Sequence, residues 1–184
     1  MNEHPVGTPV PVPDLPPGRV LAEVLAPDPI LSAACKTVDP TDPAIAQLCA
    51  DLLATMDVAP GCVGLAANQI GVDARAFSLD VREHPKTRTC HGRFVLLNAE
   101  VLEASRNEKA REGCMSVPDF TGDVKRATRL TVKGVLPVTG EEIVIRTDAF
   151  EARALQHEID HTNGFLFLDR VAGAHAIHVR KTYL

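Results

Sequence analysis

The chain has no tryptophan and one tyrosine, and aromatic residues make up only 4% of it. An aromatic-rich core is excluded, so the interior must be assembled from Leu, Val, Ile and Ala. Basic residues are also in deficit: 19 Lys and Arg face 24 Asp and Glu, a formal net charge of −5. That balance excludes a generic binder of nucleic acid or of an anionic membrane, which needs clustered positive charge. No apolar run approaches the ~18 residues of a spanning helix. The N-terminus lacks the basic-then-apolar pattern of a secretory signal. The cysteines (Cys35, Cys49, Cys62, Cys90 and Cys114) are sparse and odd in number, which does not suit a secreted disulfide framework. A cytoplasmic location is the expectation. A chain of 184 residues, 45% hydrophobic and 23% charged, can bury a core as one domain without a staple. A monomer is expected, because no long apolar stripe is left over once the helices are packed.

Proline is locally abundant: Pro5, Pro9, Pro11, Pro13, Pro16 and Pro17 crowd the first 19 residues. A helix or central strand cannot run through that density. We therefore expect an N-terminal arm over 1–19, extended, mobile and without a part in the function, followed by a single domain over 20–184.

Ile45, Leu48, Cys49, Leu52, Leu53 and Met56 recur at helical spacing and predict a helix over 43–57. Thr41 or Asp42 can cap it, Pro43 fits its first turn, and Pro60-Gly61 ends it. Strands are predicted over 75–81 and 93–101, joined by a solvated basic loop. A hairpin is predicted from 129–135 and 142–147 about the turn signal Thr139-Gly140. The last element is a helix over 149–163. Asp148 and Glu151 read as a capping box at its start, and Gly164 as its C-terminal residue. Strands followed by a helix, without βαβ alternation, indicate an α+β fold.

That last helix carries His157-Glu158-Ile159-Asp160-His161. Two His at i and i+4 project from one face, about one turn apart, and can share one metal ion. Glu158 lies about 100° round the helix, placed to act as a general base. A catalytic ion wants a third protein ligand and an open position. Cys114 and Cys62 both remain candidates on residue type. Gly113 would let backbone approach closely at Cys114, and Gln69, in the small-residue segment 61–71, offers amide donors to a developing oxyanion.

Three segments in order resemble peptide deformylase. Gly64-Leu65-Ala66-Ala67-Asn68-Gln69 resembles its first motif, Glu112-Gly113-Cys114-Met115-Ser116 its second, and Gln156-His157-Glu158-Ile159-Asp160-His161 its third. The resemblance implies antiparallel strands packed around a central metal-binding helix. It implies that Cys114, His157 and His161 hold one divalent ion, natively Fe(II), with Zn, Ni or Co able to replace it. Glu158 would be the acid/base, Gln69 and the Met115 backbone N–H would meet the oxyanion, and Gly64, Gly113 and Arg153 would lie along the substrate. The implied substrate is an N-formylmethionyl peptide, cleaved to formate and a free amine, with a transient ribosome contact where such termini emerge.

The chain departs from the family pattern at two places. Cys62 stands where the first motif usually opens on glycine, and Asp119-Phe120-Thr121-Gly122 lacks the basic residue many members place there, thought to help hold the peptide. Weighed against deformylation of formyl-methionyl peptides are a paralogue acting on another N-formyl compound, a metallopeptidase cutting internal bonds, and a non-enzymatic metal-binding module. Arg153 has two readings: an ion pair with a carboxylate such as Glu112, or a contact to a polar substrate group. His175 and His178 read as a solvated end, and Cys90-His91 as no metal site.

Overall fold

The structure, a computed structural model, describes residues 2–181. In chain order the elements are β1 (Asn2–Glu3), α1 (Pro43–Val58), β2 (Gly64–Ala66), β3 (Ala76–Asp80), β4 (Arg93–Cys114), β5 (Val117–Val135), β6 (Glu142–Asp148), α2 (Ala149–Thr162) and β7 (Ile177–Val179). One mixed sheet runs β1-β6-β5-β4-β3-β2, and β7 adds to β5. Every pairing is antiparallel except that of β1 with β6. This is the predicted α+β class.

Alternation along β3 and β4 builds two cores. Phe77, Leu79, Phe94 and Leu96 point to one side, where Ala152, Leu155 and Ile159 of α2 meet them. Ala76, Val95 and Leu97 point to the other, against Leu48, Cys49, Leu52, Leu53 and Met56 of α1. Successive strand side chains face opposite ways, so these two strands are covered by a helix on each side. The α1 stripe is the one its sequence spacing predicts. Asp42 caps the helix, its side chain accepting from the Ala44 N–H at 2.8 Å. No helix among the described residues is long and apolar enough to cross a membrane.

Four expectations need correction. First, β4 does not stop near 101 but continues to Cys114, paired with β5 from Leu97↔Val135 down to Cys114↔Val117. Residues 100–109 are exposed throughout. With neither face buried, no hydrophobic alternation marks them as strand. Second, Asp148 does not cap α2: its Oδ1 accepts from the Thr89 N–H at 3.1 Å, and Glu151 is engaged by His91 and Thr147 instead. Tertiary partners outbid the local motif. Third, the N-terminal arm is extended but fastened. β1 pairs with β6, Val10 is buried, Gly7 N–H donates to His91 Nε2 at 3.2 Å, and Arg19 pairs with Asp51 at 2.6 Å. Fourth, the tail around His178 is a strand on the edge of β5, with His178 Nε2 3.0 Å from Asp123 Oδ2. Three residues of strand are too few to show a period in sequence.

Candidate metal centre

The tip of the β4–β5 ribbon is the two-residue turn Met115-Ser116, so Cys114 is delivered as the last residue of β4. There it meets the inward face of α2. His161 Nε2 lies 3.2 Å from Cys114 Sγ and 3.2 Å from His157 Nε2. The three ligand atoms fall within 4.8 Å of one another, and among the described residues no other such group of three occurs. A tetrahedral ion with metal–sulfur and metal–nitrogen bonds of ordinary length holds its ligand atoms about 3.3–3.6 Å apart. The three donors thus fit a metal ion, with one position left over for water or substrate.

The ligands are held from behind. Glu112 Oε2 is 3.1 Å from His157 Nδ1, which turns the other ring nitrogen to the centre. The same carboxylate accepts from Arg126 and Arg153 at 2.8 and 2.7 Å. Arg126 continues to Asp160, whose other oxygen takes Arg170. Burial pushes the Glu112 carboxyl up, but the bonds from His157 and Arg126 prevail and hold it well below the usual carboxylate range. Asn68 donates its amide to the His161 carbonyl at 2.7 Å, pinning the end of α2.

Gln69 sits in the single-turn helix after β2, 1% exposed. Its carbonyl accepts from the Ala66 N–H at 3.0 Å. The amide group is therefore turned to the centre, 3.4 Å from Cys114 Sγ and 3.2 Å from Ser116 Oγ. Glu158 is buried beside them, and burial pushes its carboxyl up to about 7 against the pull of the His157 and Arg126 charges. Its Oε2 has no hydrogen-bond partner among the described residues. A Cβ on Gly64 would fall 2.5 Å from Glu158 Oε1, so glycine is what lets the carboxylate reach β2.

Every predicted site residue except His161 lines one cavity of about 310 Å³, and His161 joins them through its contacts to Cys114 and His157. Arg153 reaches that wall with its donors turned inward, onto Glu112, the Val124 carbonyl and the Glu108 carbonyl. Cys62 also lines the cavity but stays apart from the ligand group: its thiol donates to the Gly64 carbonyl at 3.1 Å. Burial, with Glu158 nearby, pushes that thiol up to about 12. Sequence reasoning missed Arg126, Ser116 and Arg180. Arg126 had a signal, since strand alternation puts it on the same face as Val124, and both are buried. His84, stacked on Phe150 with ring centroids 3.4 Å apart, had none.

A family model described as polypeptide deformylase matches residues 22–176. Peptide deformylase from Carboxydothermus hydrogenoformans is 47% identical over 143 residues, 78% of this chain and 88% of that protein. The crystal structure of peptide deformylase from Ehrlichia chaffeensis matches with a TM-score of 0.77 at 33% identity, covering 84% of this chain and 89% of that one. A class I type b peptide deformylase from Acinetobacter baumannii, solved with Met-Ala-Ser bound, matches with a TM-score of 0.74 at 32% identity, covering 83% and 99%.

Proposed function

The chain belongs to the polypeptide deformylase family, and from that membership we propose that it hydrolyses the formyl group from N-formylmethionyl peptides with one divalent metal ion. The observation that carries the reading is the convergence of Cys114, His157 and His161 with Glu158 and Gln69 on one cavity. The Met-Ala-Ser held by the Acinetobacter baumannii relative supports it, because that peptide is what deformylation of formyl-Met-Ala-Ser leaves behind.

Cys114, His157 and His161 would hold the ion. When bound it supplies Lewis acidity, which makes water a competent nucleophile near neutral pH. We assign Fe(II), with Zn, Ni or Co as substitutes, to a donor set of one thiolate and two imidazoles, which suits these ions. The residues of the chain then divide the work. Glu158 takes the proton from the attacking water as oxygen adds to the formyl carbon, and gives it to the departing amine as the carbon–nitrogen bond breaks. The Gln69 amide and the Met115 backbone N–H meet the charge that develops on the formyl oxygen. Gly64 and Gly113 line the substrate cavity, where a missing side chain admits Glu158 beside the first and Arg180 beside the second, and Arg153 serves the substrate by fixing Glu112 behind His157. Formate and a free N-terminus are the products.

The same reading makes 20–184 the catalytic domain and 1–19 an arm upon it. It places the enzyme in the cytoplasm as a monomer that visits the ribosome transiently, where formylated termini emerge. Anaerobically purified, iron-loaded protein should release formate from formyl-Met-Ala and leave acetyl-Met-Ala and an internal peptide bond intact. Absence of formate rejects the proposal, and cleavage of the internal bond replaces it with a peptidase.

A further inference from the structure

We propose that the outward face of the β4–β5 ribbon, centred on Lys109 and Lys125, is an exosite that attracts acidic side chains of the substrate peptide downstream of the formyl-methionine. The inference rests on the deformylase reading above and adds to it a substrate class, formylated peptides that turn acidic a few residues in.

The register of the ribbon sets the two lysines side by side. Gly113↔Thr121, Arg111↔Asp123 and Lys109↔Lys125 are directly opposite pairs, and alternate pairs share a face. Glu112, Val124 and Arg126, which lie between them, are buried on the other face. Lys109 and Lys125 are exposed, and neither has a hydrogen bond or an ion pair with any described residue. The one acid on this stretch of the face is already engaged: Asp123 Oδ1 accepts from Arg111 at 2.6 Å, and its Oδ2 lies 3.0 Å from His178 Nε2. Further out on the same face comes Arg129, exposed as well. Like charges directly opposite on paired strands are destabilising, and the fold sets no acid against this pair. In a chain of net charge −5, the ribbon thus carries positive charge that its own folding does not use.

This face begins inside the cavity. Cys114, Gly113, Arg111 and Thr121 all line it. Glu158, Gln69 and Cys114 are 3%, 1% and 6% exposed, so the buried end is the reacting end and receives the formyl terminus. Gly113 and Arg111 are exposed, so β4 leads from the reacting centre to the surface. From Cys114 to Lys109 is five residues of strand, about 17 Å. A peptide leaving the cavity extended beside β4 covers that length with about five residues of its own. An Asp or Glu carboxylate there would sit between two ammonium groups and relieve their repulsion. A lysine is a point charge on a flexible stem and takes a carboxylate without demanding one geometry, so the selection is for charge rather than for one sequence. Continuity with the cavity favours the peptide itself over a nucleic acid, which the net charge of −5 repels.

The test offers iron-loaded enzyme three amidated peptides that share formyl-Met-Ala-Ser-Ala and continue with three Glu, three Gln or three Lys. At low salt, kcat/KM for the Glu peptide should exceed that for the Gln peptide by about 3–10-fold, the worth of two exposed ion pairs. The Lys peptide should fall below both. Salt at about 0.5 M should level the three, because it screens exposed charges. The double variant Lys109→Glu/Lys125→Glu should reverse the order, and Lys109→Arg/Lys125→Arg should keep it. Formyl-Met-Ala is too short to reach the lysines and should be turned over equally by all three proteins, which also shows that each is folded. Equal rates on the three long peptides, or a Glu preference that survives in the Glu variant, overturn the inference. Binding of an RNA oligonucleotide that the Glu variant abolishes, without any Glu-peptide preference, replaces it with a nucleic-acid face. No formate from formyl-Met-Ala with the unaltered enzyme instead overturns the deformylase reading beneath it.

Discussion

Glu112 Oε2 stands 3.1 Å from His157 Nδ1, so a residue two positions before one candidate metal ligand orients another on a different element. The strand and the helix are thereby locked to each other through the site itself. Glu112→Gln should lower metal affinity by about 10–100-fold, the usual cost of losing such an outer partner. It should also destabilise the fold by about 3–5 kcal/mol, because Arg126 and Arg153 are left without the charge they share. Metal content after dialysis against a chelator and the thermal midpoint measure the two effects. Unchanged metal retention would remove the orienting role.

Glu158→Gln should keep the metal and lose about 10²–10⁴-fold in turnover, the range for a positioned acid/base. The amide fits the same pocket, so folding is preserved. Metal analysis beside the rate of formate release separates the base role from a ligand role. Retained turnover is the outcome that fails it.

Cys114→Ala should lose the metal, whereas Cys62→Gly should bind it normally. The Cys62 thiol is pushed up to about 12 and bonded to the Gly64 carbonyl, so it is not a thiolate ready to ligate. Equal loss in both variants would show that the ligand has been misassigned.

Acid stability should report the tie between the arm and α1. Burial raises the Asp51 carboxyl, but bonds from Arg19 and Gln47 prevail and hold it below its ordinary 3.8. A carboxyl depressed in the folded state stabilises above its unfolded value, and that contribution is lost as pH falls through the folded value. Asp51→Asn should therefore lower the thermal midpoint at neutral pH, and the gap from the unaltered protein should close as pH drops below 3.8. A gap independent of pH would mean that the carboxylate charge plays no part.

Removing residues 1–19 should lower stability without disabling the chemistry. Val10 leaves the core and the Arg19–Asp51 pair is broken. Burying one valine is worth about 1.5–3 kcal/mol, so a clear fall in thermal midpoint is expected with kcat retained. Loss of kcat at a temperature where the truncated protein is still folded would give the arm a catalytic part.

What could be read in sequence follows from which residues have a period. The α1 stripe and the His157–His161 spacing repeat within a turn or two, and both stand in the structure as predicted. The antiparallel pairing of β5 with β6 is likewise the hairpin their alternation predicts. Gln69 and Cys114 were candidates from residue type and from the family resemblance, and the fold brings them within 3.4 Å. The outer part of β4 was hidden because both its faces meet solvent. Arg180 was hidden because its position depends on a three-residue strand crossing from the tail. Asp148 misled because Ser/Thr/Asp before a helix caps it only when no better partner is near, and here the Thr89 N–H is.

The ribbon of β4 and β5 makes Cys114 the end mark of a ruler. β4 leaves β3 after Leu97 and thereafter has β5 as its strand partner up to the tip. One residue inserted within 100–109 would advance the tip by about 3.3 Å and turn the thiol to the opposite face. Two would restore the face and leave the distance wrong. The outer, largely exposed part of the loop over 85–88 can absorb such length changes as surface loops generally do. For the tip, composition in 100–109, where every residue is exposed, is free and number is not.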